Sequence, residues 1–344
     1  MNATEVGYMP SPFNNLTVGV TAGSAFDLSI EREVFDGLDV TFHPVNVRST
    51  NELIDQLAGV DAVIDRVLSV PYTDEVIRTL DCHVIARCGI GVDKLDIEAA
   101  AEQGTYVVNV PSYCEREVAE HTLLLILALE RNLVGYDTAL KNGQWEKHIG
   151  SMSIHRLRSR TLGLVGFGTI ARLVAKRAQA FDMDVIASDP YIDADELSAQ
   201  VVEKQSFDDV VETADTVSAH APLTKETQNI FDEDVFKRMQ SDAYFVNVAR
   251  GGLVDEVALL HSLWDGDIAG AALDVFREEP ADQYDEGSPV FENELRKLDN
   301  VILTPHVAWY SKEASDEKRR KAACDVRRVL EGEDPLNPVN EPCV

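Results

Sequence analysis

Three polar side chains in the second half of the chain stand where chemistry could be done: Arg250, Glu279 and His306. Arg250 comes after Phe245–Val246–Asn247–Val248–Ala249 and before Gly251–Gly252. Glu279 lies five residues after Asp274 and just before Pro280, and His306 follows Val301–Ile302–Leu303–Thr304–Pro305. A histidine titrates near neutrality and can pass a proton. A neighbouring carboxylate favours its charged form. An arginine grips a carboxylate and can polarise a carbonyl. Singly, each has a plainer use, the arginine in an ion pair and the histidine as a cap on the turn after Thr–Pro. Together they close apolar runs that read as strands, and in an open α/β sheet ligands bind beyond the carboxyl ends of the strands.

Upstream, Thr161–Leu162–Gly163–Leu164–Val165–Gly166–Phe167–Gly168–Thr169–Ile170–Ala171 runs from an apolar stretch into glycines and then into a helix-favouring segment. That is the layout of a strand, a tight turn and a helix N-terminus. Gly166 permits the turn, Gly168 lets backbone approach a pyrophosphate, and Ala171 lets helix and strand pack closely. The first free N–H groups of the helix then face the phosphates. A lone G-x-G-x-x-A is weak; here Met183–Asp184–Val185–Ile186–Ala187–Ser188–Asp189 follows as the next strand, ending in an acid placed for ribose hydroxyls.

The elements that must position these groups form two series. In the first, Leu16–Thr21, Val40–His43, Asp61–Asp65, His83–Arg87 and Tyr106–Asn109 read as strands. Ile30–Phe35, Asn51–Leu57, Asp74–Leu80 and Ile97–Gln103 read as the helices between them, so the sheet is parallel and doubly wound. A long helix, Glu115 to Leu133, is apolar on nearly every side and is therefore expected to be buried, within its domain or against a second subunit. Six strands follow: Thr161–Val165, Asp184–Ser188, Thr216–His220, Ala243–Val248, Gly270–Asp274 and Val301–Thr304. Between them, helices are expected over Gly168–Ala180, Asp232–Met239 and Glu256–Leu263, and another over Ser311–Leu330 near the end. The acidic runs Asp193–Glu196 and Asp208–Asp209 read as solvated surface.

The charge is unusual: 31 Lys and Arg against 60 Asp and Glu give a net −29. Such a surface repels itself in dilute buffer and is screened in concentrated salt, which points to a halophilic, salt-filled cytoplasm. It argues against nucleic acid and anionic membranes as partners. Residues 1–15 lack the basic start and apolar core of a signal peptide and read as a loose polar tail. The longest apolar run, Leu123–Leu129, is far short of a membrane span. Five cysteines without zinc-site spacing read as reduced thiols, and no metal is expected.

Several stretches, in order and at the matching spacing, resemble the D-isomer-specific 2-hydroxyacid dehydrogenase family over essentially the whole chain. They are Arg87–Cys88–Gly89–Ile90–Gly91–Val92–Asp93, Val118–Ala119–Glu120–His121, Gly166–Phe167–Gly168, His220–Ala221–Pro222–Leu223–Thr224, Asn247–Val248–Ala249–Arg250–Gly251–Gly252, Leu273–Asp274–Val275–Phe276 with Glu279–Pro280, and Thr304–Pro305–His306. The resemblance implies an NAD(P)-dependent oxidoreductase acting on the CH–OH group of donors. It implies His306 as acid/base, Glu279 as its partner and Arg250 as the substrate's anchor. It also implies that the backbone N–H groups of Cys88, Gly89 and Ile90 help bind the substrate carboxylate, with Arg87 either a substrate contact or a packing residue. Gly166, Gly168, Thr169, Ile170, Asp189, His220, Pro222, Thr227, Ala249 and Asp274 are expected around the cofactor, Asp274 near the nicotinamide carboxamide. His220 has the alternative of merely ending a strand, and His121 is expected to be structural or interfacial. Asp189, followed by Pro190–Tyr191–Ile192 with no Arg or Lys, favours NAD, with NADP as the alternative. The family's formate dehydrogenases carry Gln where this chain has Glu279, so the Glu–His pair points to oxo-acid reduction.

After His306 the run Val307–Ala308–Trp309–Tyr310–Ser311–Lys312–Glu313–Ala314–Ser315 resembles the C-terminal-binding protein branch, whose eukaryotic members are NAD-binding corepressors. Trp309 would face the substrate side chain and favour an apolar or thioether group, with a core tryptophan as the alternative. The expected architecture is a flavodoxin-like substrate domain, residues 1–113 plus 310–344, and a Rossmann NAD-binding domain, residues 114–309. A hinge is expected near Cys114 and Tyr310. The expected assembly is a cytoplasmic homodimer, the expected reaction the reduction of a small 2-oxo acid to the D-2-hydroxy acid. The alternatives are an NADH-binding corepressor-like scaffold and a phosphoglycerate dehydrogenase; the chain ends soon after the catalytic domain, which counts against a regulatory C-terminal domain.

Overall fold

The structure is a computed structural model that describes residues 15–22, 27–67, 70–145, 154–280 and 291–343. The polar tail expected at 1–15 therefore lies outside the described residues except for Asn15. The chain forms two compact units, one reaching from the start to Tyr113 and resuming at Ser311, the other holding Cys114–Glu279 and Phe291–Tyr310.

In the first unit, β1 (Leu16–Thr21), α1 (Ser29–Val34), β2 (Val40–Val45), α2 (Thr50–Leu57), β3 (Ala62–Asp65), α3 (Asp74–Leu80), β4 (Val84–Arg87), α4 (Ile97–Gln103) and β5 (Tyr106–Val108) alternate. All strands pair in parallel, in the order β2-β1-β3-β4-β5, which is the flavodoxin-like order. The residue alternation decides the two faces. Ile64, Val84 and Ala86 join one buried cluster, while Val63 and Ile85 join the opposite one with Leu53, Ile77 and Leu80. Helix starts are fixed by side chains the sequence supplies at the right place: Ser49, Thr73 and Asp96 each accept an N–H from the first turn of α2, α3 and α4.

The second unit begins with α5 (Glu115–Glu130) and α6 (Leu133–Lys141). The single helix expected to reach Leu133 breaks here, because Asn132 takes a left-handed backbone with φ 48°. Then come β6 (Thr161–Val165), α7 (Thr169–Gln179), β7 (Asp184–Ser188), α8 (Ala194–Ser198), β8 (Glu203–Lys204), α9 (Phe207–Thr213), β9 (Thr216–Ala219), α10 (Glu233–Arg238), β10 (Tyr244–Asn247), α11 (Glu256–Asp265), β11 (Gly270–Leu273) and β12 (Val301–Leu303). The sheet is parallel throughout and runs β12-β11-β10-β9-β6-β7-β8. It has seven strands rather than the six expected: the two-residue β8 is too short to show a pattern. Short helices α8 and α9 open on the acidic runs read as surface, where carboxylates suit the positive helix end. Phe231, Phe236 and Phe245 pack ring on ring at 4.8 and 5.3 Å beneath the strands.

The last helix, α12 (Lys312–Leu330), returns to the first unit, where Ala322, Val326 and Leu330 join the face that holds Val84 and Ala86. Arg319 fastens it, donating to both oxygens of the buried Glu31 carboxylate on α1 at 2.9 and 2.5 Å.

Candidate active site

Because every strand of the second sheet points the same way, the loops that follow them share one edge. In sheet order these loops carry His306 after β12, Asp274 and Glu279 after β11, Ala249 and Arg250 after β10, His220 after β9, the glycines after β6 and Asp189 after β7. The order reverses between β9 and β6, and that switch point is where a crevice opens in such sheets.

The glycine turn is built for close approach. Gly166 has φ +89°, and a Cβ there would lie 2.7 Å from the Ala221 nitrogen and 2.8 Å from the His220 carbonyl carbon. Gly168, by contrast, opens on free space: a Cβ would meet no atom within 4 Å. It is the N-cap of α7, and no side chain caps that helix, so Thr169 and Ile170 present the first turn's N–H groups to this space. Open space, bare donors and a positive helix end fit a pyrophosphate. Asp189, half-buried, accepts the Phe167 N–H through Oδ2 at 2.8 Å and the Tyr191 N–H through Oδ1 at 2.9 Å. The acid thus braces the glycine turn, and each oxygen keeps a lone pair for a ribose hydroxyl.

His220 contacts Ser218 Oγ through Nε2 at 2.9 Å, and burial pushes its pKa down to about 4. It is therefore neutral near pH 7 and can line a site without bringing charge. Thr227 spends its hydroxyl inside its own loop, donating to the Pro222 carbonyl at 2.6 Å and accepting the Thr224 N–H at 2.8 Å. It shapes the 222–227 loop, a use its expected cofactor role did not foresee.

Asn247, not singled out from the sequence, turns the chain at the end of β10. Its carboxamide donates to the Arg250 carbonyl at 2.9 Å and accepts the Ala249 N–H at 3.0 Å. Arg250 leaves this turn with Nη1 donating to the Ala249 carbonyl at 2.7 Å. Next to it, Gly251 packs against the backbone after β11: a Cβ would fall 1.9 Å from the Phe276 carbonyl carbon. The Phe276 N–H in turn donates to Glu279 Oε1 at 3.1 Å, and Glu279 Oε2 meets His306 Nδ1 at 2.8 Å. With Nδ1 held, Nε2 is the nitrogen His306 can offer to another molecule.

Asp274 also holds the loop that follows β12. It is wholly buried, and both carboxylate oxygens serve the His306 loop. Oδ1 accepts the Thr304 hydroxyl at 2.6 Å and the Val307 N–H at 2.9 Å, while Oδ2 accepts the Ala308 N–H at 2.9 Å. Its carbonyl accepts the His306 N–H at 2.8 Å, and His306 has φ +52°. Asp274 is a clasp around the histidine rather than a free carboxylate. Trp309, half-buried, packs edge-on against Tyr310 with ring centroids 5.5 Å apart.

Arg87, Cys88, Gly89 and Ile90 lie in the first unit, at the end of β4. The N–H groups of Cys88 and Gly89, expected to face a substrate, are already bonded, to the Asp65 and Arg87 carbonyls at 2.7 and 2.9 Å. Asn109 Nδ2 donates to the Ile90 carbonyl at 2.8 Å. Burial pushes the Cys88 thiol up to about 11, so it stays protonated. Arg87 is more telling: its Nε and Nη1 are buried and lack a hydrogen-bond partner. Buried unsatisfied donors are rare in proteins and point to a missing acceptor. Among the described residues no cluster of His, Cys, Asp and Glu could hold a metal ion, and no helix is long and apolar enough to cross a membrane.

Residues 123–308 match the model of the D-isomer specific 2-hydroxyacid dehydrogenase NAD binding domain. The chain is 38% identical over 300 residues to D-3-phosphoglycerate dehydrogenase 2, chloroplastic, of Arabidopsis thaliana, covering 86% of this chain and 46% of that protein. It is 38% identical over 293 residues to D-3-phosphoglycerate dehydrogenase of Methanocaldococcus jannaschii, covering 85% of this chain and 54% of that one. The chain thus spans about half the length of the curated relatives it matches. Among solved structures, the TT0316 protein of Thermus thermophilus superposes with TM-score 0.81 at 33% identity, covering 94% of this chain and all (100%) of that one. D-lactate dehydrogenase of Aquifex aeolicus, complexed with NAD and lactic acid, gives TM-score 0.83 at 26% identity, covering 95% and 100%.

Proposed function

Because the chain belongs to the D-isomer specific 2-hydroxyacid dehydrogenase family, whose NAD binding domain its residues 123–308 match, we propose that it reduces a 2-oxo acid to the D-2-hydroxy acid with NADH. The observation that carries this reading is the 2.8 Å pair of His306 Nδ1 and Glu279, on the same sheet edge as the glycine turn. When bound, NADH supplies the hydride. Arg250 anchors the substrate carboxylate and polarises the carbonyl that receives it. His306 delivers a proton from Nε2 to the carbonyl oxygen as charge builds there. Glu279 holds Nδ1 and keeps the ring oriented. Gly166, Gly168, Thr169 and Ile170 hold the pyrophosphate, Asp189 the ribose, and His220, Pro222 and Ala249 line the remaining length.

Asp189 accepts from both ribose hydroxyls and repels a 2′-phosphate. A panel of glyoxylate, pyruvate, hydroxypyruvate, branched and methylthio 2-oxo acids, assayed in molar KCl, tests the reading. We expect turnover with at least one, and a higher kcat/KM with NADH than with NADPH; the opposite cofactor order refutes the role of Asp189. A second reading, oxidation of 3-phosphoglycerate, draws on the similarity to D-3-phosphoglycerate dehydrogenases. Trp309 favours the first, since an indole offers nothing to a phosphate. A kcat/KM for 3-phosphohydroxypyruvate above all the others would reverse the choice. NADH binding without any turnover would instead favour the corepressor-like scaffold of the C-terminal-binding protein type.

The net charge of −29 suits a salt-filled cytoplasm. A second copy of the chain is proposed to cover α5 and α6, which expose Leu124 (54%), Leu133 (57%) and Leu140 (56%). The mass in molar KCl should then be twice the 38.0 kDa of one chain. Leu140→Lys should shift it towards the monomer. A wild-type protein that sediments as a monomer at assay concentrations removes the proposal.

A further inference from the structure

His121, two turns into α5, was expected to be structural or interfacial, yet the structure brings it to the loop that carries His306. Its Nε2 lies 3.1 Å from Thr304 Oγ1 and 3.7 Å from Asp274 Oδ1, and its side chain is 17% exposed. The direction of the first contact follows from proton counting. The Thr304 hydroxyl has one proton and lies 2.6 Å from Asp274 Oδ1, an oxygen that also receives the Val307 N–H. A carboxylate that takes several donors has no proton to give, so the hydroxyl proton belongs to Asp274. Thr304 Oγ1 can then only accept from His121, whose Nε2 must carry a hydrogen. The bonds run one way, His121 Nε2–H to Thr304 Oγ1–H to Asp274, and bonds so aligned strengthen each other.

The far end of this chain is the clasp. Asp274 receives Val307 and Ala308 through its carboxylate and His306 through its carbonyl, and it does so around a residue whose φ of +52° is uncommon for any residue but glycine. Such a backbone persists only where its surroundings over-determine it. We propose that His121 is a positioning residue for the acid/base histidine: through Thr304 it orients the Asp274 carboxylate, and so holds the 304–308 loop and the left-handed His306. This rests on the reading of His306 as the acid/base group.

The test compares His121→Leu, which removes the donor, with His121→Gln, whose amide nitrogen can reach the place of Nε2. His121→Leu should lower kcat about tenfold, the size of one lost hydrogen bond expressed in a rate, and leave the KM for NADH within about twofold. His121→Gln should recover most of the loss. A second readout needs no turnover: the amide hydrogens of Val307 and Ala308 should exchange faster in His121→Leu and return to wild-type protection in His121→Gln. Equal kcat in His121→Leu and wild type overturns the proposal, as does a glutamine variant as impaired as the leucine one, or exchange that does not change. Should the wild type reduce no 2-oxo acid, the functional reading fails, while amide exchange still decides whether His121 holds the loop.

Discussion

Replacing His306 with asparagine should lower kcat for 2-oxo acid reduction by about 10²–10⁴-fold, the range that a positioned general acid contributes. NADH affinity, measured by fluorescence titration, should stay close to wild type. Asparagine is the informative substitute because His306 has φ +52°, a backbone that asparagine adopts more readily than alanine does. The loop therefore keeps its shape and the loss reports on the proton. Glu279→Gln should act through the same ring in a different way. Glutamine leaves an acceptor for Nδ1 at the 2.8 Å contact but removes the negative charge beside the ring. The loss of that charge should lower kcat by about tenfold while NADH affinity stays near wild type. A Glu279→Gln kcat equal to wild type would show that the pair does not serve the proton transfer. A His306→Asn enzyme with near-normal kcat would remove the histidine from the chemistry altogether.

What the sequence shows and what it hides follow from different physics. Strand and helix positions were legible because both sheets are parallel and buried on both faces, which leaves dense apolar runs broken by clear caps such as Ser49, Asp96 and Asp232. The β8 strand was not legible, since two residues at a sheet edge carry no period. The break between α5 and α6 was hidden because Arg131–Asn132 interrupts an apolar pattern without glycine or proline, and only the left-handed turn at Asn132 ends it. At the candidate site, Arg250, Glu279 and His306 were legible as polar residue types after strands, and the structure brings Glu279 Oε2 to 2.8 Å from His306 Nδ1. The residues that hold them did not stand out. Asn247, Thr304 and His121 make hydrogen bonds whose partners lie far off in the chain or turn the backbone locally, and spacing says nothing about either. Asp274 shows the same limit: the resemblance places it near the nicotinamide carboxamide but says nothing of the Val307 and Ala308 N–H groups that its buried oxygens hold.

Gly251→Ala should cost the protein both its activity and a large part of its stability, while Gly168→Ala costs it cofactor affinity alone. At Gly251 the added Cβ would stand 1.9 Å from the Phe276 carbonyl carbon, 2.1 Å from its oxygen and 2.4 Å from the Arg277 nitrogen. All three are backbone atoms at the end of β11, so no side chain can swing aside. The loops after β10 and β11 must separate, and they carry Arg250 on one side and Glu279 on the other. Overpacking against ordinary neighbours costs about 1–3 kcal/mol; a backbone collision of this depth should reach the upper end or beyond it. A fall of several degrees in Tm and a loss of kcat/KM of about a hundredfold or more are expected. Gly168 differs in kind, because its Cβ would meet nothing within 4 Å. Its φ of −75° suits any residue, so Tm should hold. The methyl group would instead occupy the space above the N-terminus of α7 and keep a pyrophosphate from those N–H groups. The KM for NADH should rise while kcat at saturation changes little. The two alanine variants, melted and assayed side by side in molar KCl, separate a glycine required by the protein's own packing from one required by its cofactor. A Gly251→Ala protein with unchanged Tm, or a Gly168→Ala protein with unchanged KM for NADH, would refute the corresponding half.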